Sequence, residues 1–213
     1  MGKRTAIVGA TGAVGTTMLS ILEERDFPVS DLRLMASNRS AGKVVPTKWG
    51  EVIVEDLATA DPSGVEVALF SAGGSRSKEY APKFAAAGGV VIDNSSAFRQ
   101  DPNVPLVVAQ VNDAAVKGHQ GIVANPNCTT MVLMMAAGPL HHVAGLRQFH
   151  FGIGFEALAP QLHSTLLDEP RSFTSRFSGA GIDQEVTQSI GAGAQVVLRH
   201  ILWKVAFLEN GLE

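Results

Sequence analysis

The chain has 213 residues, 46% of them hydrophobic and 17% charged, with a formal net charge of −3. That suffices for a real core in one large domain or one and a half ordinary ones, and the charge gives no reason to expect a nucleic acid or an anionic membrane as partner. A single cysteine excludes an intrachain disulfide framework and fits a reducing compartment. Met1-Gly2-Lys3-Arg4 runs directly into a strand-like segment with no signal-peptide h-region, and no apolar run approaches the roughly 20 residues that span a bilayer, so a soluble, cytoplasmic protein is expected.

Thr5-Ala6-Ile7-Val8 reads as a short apolar strand. Gly9-Ala10-Thr11-Gly12-Ala13-Val14-Gly15 follows, and then Met18, Leu19, Ile21 and Leu22 at helical spacing. Strand, glycine turn and amphipathic helix in that order are the context a dinucleotide fingerprint requires. The spacing is G-x-x-G-x-x-G rather than G-x-G-x-x-G, but the physical task is the same. Glycine lets the backbone approach a pyrophosphate, and the helix N-terminus attracts its charge. A glycine-rich turn with no ligand is the competing reading. Gly9, Thr11, Gly12, Ala13, Val14 and Gly15 are therefore candidate cofactor contacts.

Leu32 to Ala36 reads as the second strand, and it runs into Ser37-Asn38-Arg39-Ser40-Ala41-Gly42-Lys43. An NAD-specific fold usually ends this strand with an acid that binds the ribose 2′-OH. No carboxylate stands here, whereas Arg39 with Lys43 offers positive charge to a 2′-phosphate. This points to NADP(H), with Ser37, Arg39 and Ser40 as contacts; a solvated basic loop is the bland alternative. Val44 to Val54 alternates polar and apolar residues and reads as extended. Val65 to Phe70 is a core strand that ends in Ser71-Ala72-Gly73-Gly74-Ser75, a turn of small residues where a cofactor can come close to Ser71, Ala72 and Gly73.

Ser77 to Ala87 reads as a helix with Tyr80 and Phe84 inward, ended by Gly88-Gly89. Val90 to Asp93 is the next strand, followed by Asn94-Ser95-Ser96-Ala97-Phe98-Arg99. Pro105 to Val108 precedes a short helical stretch from Asp113 to Lys117, and Gly121 to Ala124 is another strand. Strands alternating with helices in this way predict an α/β fold, a Rossmann-like, doubly wound and mostly parallel sheet.

The last of these strands delivers Asn125-Pro126-Asn127-Cys128-Thr129-Thr130 and a second apolar run, Met131 to Ala137. Strand, tight turn and helix put Cys128 in the first helical turn. There, unpaired N–H groups and the helix dipole favour thiolate over thiol. A buried structural cysteine is the more common fate of a lone thiol. What favours the nucleophile is its position behind a nucleotide-binding half, with Arg99 as a cationic anchor.

Five ordered pieces resemble the aspartate-semialdehyde dehydrogenase family. They are Gly9 to Gly15, Ala36 to Gly42, Phe70 to Gly74, Asp93 to Arg99, and Asn125 to Thr130. A related reductase of N-acetyl-γ-glutamyl phosphate shares the architecture, but its cysteine turn usually carries glycine where Asn127 stands. The resemblance implies an NADP-dependent interconversion of aspartyl phosphate and aspartate semialdehyde through a thioester on Cys128, in the biosynthesis of lysine, threonine, methionine and isoleucine. It implies that Arg99 binds phosphate, with Asn94 beside it, and that Asn127 helps shape the oxyanion environment. Its partners are small molecules; a family-like homodimer is possible, though the family's interface is largely missing from the matched part, and no metal is called for.

The expected division is a cofactor-binding domain over 1–148, carrying the cysteine, and a divergent, truncated substrate and dimerisation region over 149–213. The match decays after Gln148. The family's thioester-orienting glutamine falls on Glu156 in one register and on Ser175 in another. The family's histidine base and second substrate arginine have no matched counterpart. His119, His141, His142, His150, His163 and His200 read as surface or packing residues. A catalytically impaired NADP-binding fragment or pseudoenzyme is therefore the rival to a working enzyme.

Overall fold

Lys3–Val8 (β1) is buried from Thr5 onward, because both faces of the strand are covered by helices. The computed structural model describes residues 2–144. Ala13–Glu24 forms α1, Val29–Ala36 β2, Val44–Thr47 β3 and Gly50–Asp56 β4. Val67–Phe70 forms β5, Gly74–Ala86 α2, Val90–Asp93 β6, Ile122–Ala124 β7 and Cys128–Ala144 α3. Asp113–Gly118 is a 3-10 helix. The expected division at 148 and every reading beyond 144 lie outside the described residues.

The strands form one sheet in the order β3-β4-β2-β1-β5-β6-β7. All neighbours are parallel except β3 with β4. The stretch expected to be extended from Val44 to Val54 is so, and it folds back on itself as a hairpin. Lys48-Trp49 turns the chain, and Val44 pairs with Ile53. Alternation alone cannot tell one long strand from two short ones joined by a tight turn. From β1 the chain winds outward through β2 and β4 on one side and through β5, β6 and β7 on the other. The order therefore reverses between β1 and β5, the position where open α/β sheets bind ligands at the carboxyl ends of their strands.

The central strands are apolar runs rather than alternating ones because each face meets a helix. Ile7, Leu34, Leu69 and Ile92 pack with Met18, Leu22 and Met131 of α1 and α3. Ala6, Val8, Met35, Phe70 and Val91 pack with Ala81 and Phe84 of α2. Phe70 and Phe84 meet edge to face at 5.2 Å, worth about 0.5–1.5 kcal/mol beyond the apolar area they bury. Because the sheet is parallel and the helices are anchored on both sides, the turns after β1, β2, β5, β6 and β7 all emerge at one edge. Every candidate residue of the first 144 positions lies in those turns or at the helix starts that follow them.

Candidate active site

The turn after β1 is a steric cradle. Gly9 has φ +90°, and a Cβ there would stand 2.3 Å from Ser71 O. A Cβ on Gly15 would stand 2.2 Å from Gly9 O. Neither position can carry a side chain while the backbones keep this spacing. Gly12 N–H donates to Gly9 O at 3.0 Å, and Gly12 is the N-cap of α1. No side chain caps this helix, and its first turn holds no acidic residue. The first N–H groups of a helix lack intrahelical partners. Thr11 to Val14 are exposed beside them, an arrangement that suits an anion.

The turn after β5 repeats the device. Gly73, at φ +86°, is the N-cap of α2, again with no side-chain cap and no acidic residue in the first turn. The turn after β2 lies alongside, and Thr11 Oγ1 donates to Ser40 Oγ at 3.1 Å. Ser40 N–H donates to Ser37 O at 2.8 Å, which curls the loop and leaves Arg39 and Lys43 exposed. The glycine cradle and the two uncapped helix starts therefore suit the anionic groups of a dinucleotide, with two exposed cations beside them.

At the other end of the same edge, β6 and β7 bring Asn94, Arg99 and the cysteine turn together. Arg99 Nε donates to Asn125 O at 2.9 Å and Nη2 to Asn94 O at 3.2 Å. Burial lowers the pKa of this guanidinium, with Asp93 and Cys128 close enough to oppose that shift in part. Asp93 is fully buried at the end of β6. It accepts hydrogen bonds from Ser77 Oγ and Ser95 Oγ, each at 2.7 Å, and from Ser95 N–H at 3.2 Å. The loop carrying Arg99 is thereby tied to α2.

Cys128 is the first residue of α3 and is partly exposed. Asn127 caps the helix, accepting Thr129 N–H on Oδ1 at 2.9 Å, and the same oxygen lies 3.8 Å from Cys128 Sγ. Of the three α-helices among the described residues, only this one has a side-chain cap, and the cap is also the neighbour of the thiol. Among the described residues no histidine hydrogen-bonds the sulfur. His119 Nδ1 accepts Gly121 N–H at 3.1 Å and so serves the turn before β7. His141 and His142 lie at the far end of α3, about 20 Å from Cys128 at 1.5 Å rise per residue.

Residues 4–119 match the family model described as semialdehyde dehydrogenase, NAD binding domain. The chain belongs to the semialdehyde dehydrogenase family. It is 56% identical over 151 residues to aspartate-semialdehyde dehydrogenase of Aquifex aeolicus, covering 70% of this chain and 44% of that protein. It is 59% identical over 144 residues to the Streptomyces akiyoshiensis enzyme of the same name, covering 67% and 41%. Aspartate semialdehyde dehydrogenase II from Vibrio cholerae, solved as a complex with ASA, superimposes with a TM-score of 0.67 at 47% identity, over 69% of this chain and 49% of that one. The Candida albicans enzyme, solved with NADP, gives a TM-score of 0.54 at 26% identity, over 68% and 48%. The chain thus spans less than half the length of these relatives. No helix among the described residues is long and apolar enough to cross a membrane.

The fold brings the sequence-derived residues into two groups along one edge. Gly9, Thr11, Gly12, Gly15, Ser40 and Ser71 touch one another around the first, and Asn94, Arg99, Asn127 and Cys128 line the second. Glu156 and Ser175, the two positions considered for the orienting glutamine, lie outside the described residues, as do His150, His163 and His200. Sequence reasoning gave no role to Asp93, Asn125 or Ser77. The available signals were an acid closing an otherwise apolar strand, an amide before a proline, and a serine on the inner face of α2.

Proposed function

We propose that this chain carries the cofactor and nucleophile region of an NADP-dependent aspartate-semialdehyde dehydrogenase. The observation that carries this reading is a thiol at the first residue of α3, on the sheet edge that also presents Arg99 and the glycine cradle. In the biosynthetic direction Cys128 attacks the acyl carbon of aspartyl phosphate as thiolate, a carbon–sulfur bond forms, and phosphate leaves with the bonding pair. The positive end of α3 supports the charge on sulfur before attack. Arg99, already oriented by two backbone carbonyls, binds the phosphate before and after it leaves, and Asn94 assists. Asn127 Oδ1 is engaged by Thr129 N–H, so its Nδ2 is the group that can donate to the acyl oxygen. When bound, NADPH supplies the hydride that takes the acyl group to the aldehyde. Ala13 to Gly15 offer N–H groups to its pyrophosphate, and Arg39 with Lys43 favours the 2′-phosphate form. The product serves amino-acid biosynthesis in the cytoplasm.

A second reading, an NADP-binding unit without turnover, is favoured by the distance of the described histidines from the thiol, because general acid–base help contributes roughly 10²–10⁴ in rate. Phosphate-dependent NADPH formation from aspartate semialdehyde separates the two. If the wild-type chain turns over and Cys128→Ala does not, the first reading stands. If both are silent while NADP still binds, the second replaces it.

A further inference from the structure

We propose that Asn125 is a positioning residue that fixes the polarity of the Asn94 side chain, so that Asn94 presents only donors to the anion at Arg99. The inference rests on the reading of Arg99 and Asn94 as a phosphate site, and it assigns a role to a residue outside that site.

The argument starts from a group with no choice. Pro126 O can only accept, so its 3.2 Å hydrogen bond to the Asn125 side chain is donated by Asn125 Nδ2. The same Nδ2 faces the Asn94 amide at 2.7 Å, and the Asn94 atom that meets a donor there is Oδ1. Met131 Sδ, at 3.7 Å, is a third weak acceptor on that nitrogen. Asn125 is only 3% exposed, so turning its amide over would set an oxygen against a carbonyl with no water to relieve it, a cost of about 1–3 kcal/mol for a buried unsatisfied group. The half-buried Asn94 amide therefore keeps its oxygen toward the protein and its NH₂ on the other side. Arg99 completes the surface: its Nε and Nη2 are held by the backbone carbonyls of these same two asparagines. An amide presenting NH₂ beside a guanidinium offers an anion donors alone. An amide with free rotation would offer its oxygen part of the time and repel it.

The test uses the full chain with inorganic phosphate as the probe. In ¹⁵N-labelled wild type, the Asn94 side-chain NH₂ resonance shifts on phosphate addition, while the Asn125 NH₂ exchanges slowly and does not follow the titration. A shift at Asn125 with none at Asn94 overturns the proposal and needs no mutant to fold. Asn125→Asp then removes the donor: the new carboxylate accepts, the Asn94 amide turns over, and phosphate binding weakens about tenfold, the loss of one hydrogen bond to a charged group. NADP affinity stays within twofold. In an Asn94→Ala background the same change adds less than twofold. Equal weakening in both backgrounds assigns the effect to charge alone and ends the positioning role. If Asn94→Ala and Arg99→Ala both leave phosphate binding intact, the phosphate site itself is wrong, and the role of Asn125 falls with it. A normal loss in those two variants with a silent Asn125→Asp refutes only the inference about Asn125.

Discussion

Replacing Asn127 by aspartate changes one charge at the start of α3 and little else. Aspartate caps helices as well as asparagine does, and an anion near a helix N-terminus is favourable, so Asn127→Asp folds with an unchanged or slightly raised melting temperature. The carboxylate oxygen occupies the Oδ1 position, 3.8 Å from Cys128 Sγ. Two unit charges about 4 Å apart repel by about 4 kcal/mol at an effective dielectric constant of 20 and by about 1 kcal/mol in bulk water. Cys128 is partly exposed, which puts the penalty near 2 kcal/mol, or roughly 30-fold less thiolate. The assay is the rate of iodoacetamide alkylation of Cys128 at neutral pH. It falls by that order in Asn127→Asp, and the effect shrinks as salt screens the pair. Asn127→Ala is the counterpart. It loses the cap, at a cost of about 1 kcal/mol, and melts earlier without slower alkylation. An aspartate variant that folds normally and alkylates within twofold of wild type would refute the placement of this oxygen against the thiol.

Gly15→Ala tests the cradle. The added methyl meets Gly9 O at 2.2 Å, overpacking typically costs about 1–3 kcal/mol, and the gain in helix propensity of about 1 kcal/mol does not offset a backbone clash. NADPH affinity by fluorescence titration falls at least tenfold; an unchanged affinity rules out the cradle as the pyrophosphate site. Arg39→Ala weakens NADP at least tenfold more than NAD, and equal losses dispose of the 2′-phosphate assignment. Glu66 has its pKa lowered, first by the backbone N–H of Arg4 and then by the charge of Lys3. Its contribution is present above the ordinary glutamate pKa and is lost as pH falls through the lowered value, so Glu66→Gln flattens the acid limb of a melting-temperature profile. An unaltered limb contradicts that linkage.

The layered sheet was legible because its strands are short apolar runs separated by glycine turns and amphipathic helices, and each of those signals is local. The hairpin at Val44 to Asp56 was not, because Lys48-Trp49 is no Asn-Gly or Asp-Gly pair and the one glycine of the turn, Gly50 at φ +110°, stands at the start of the second strand. Cys128, Arg99 and the glycines stood out because their chemistry is visible in the residue type alone. Asp93, Ser77 and Asn125 matter through bonds to residues 16 and 31 positions away or to the turn beside them. Ser77 and Asp93 meet only when α2 lies on β6, and Asn94 meets Asn125 only when β6 pairs with β7. Sequence spacing does not encode such meetings; the sheet order does.

The division of labour along the sheet edge also bears on redesign. The turn at Gly9 and the turn at Ser71 are in backbone contact, so neither can be rebuilt alone. The loop at 37–43 touches that unit through one hydroxyl pair, Thr11 with Ser40, and a Cβ on Gly42 would meet nothing within 4 Å. A programme to exchange one nicotinamide cofactor for the other would therefore vary Asn38, Arg39, Ala41 and Lys43, keep Thr11 and Ser40, and leave the glycines untouched. On the proposed reading, coenzyme preference is an interchangeable part of the molecule and the glycine cradle a fixed one.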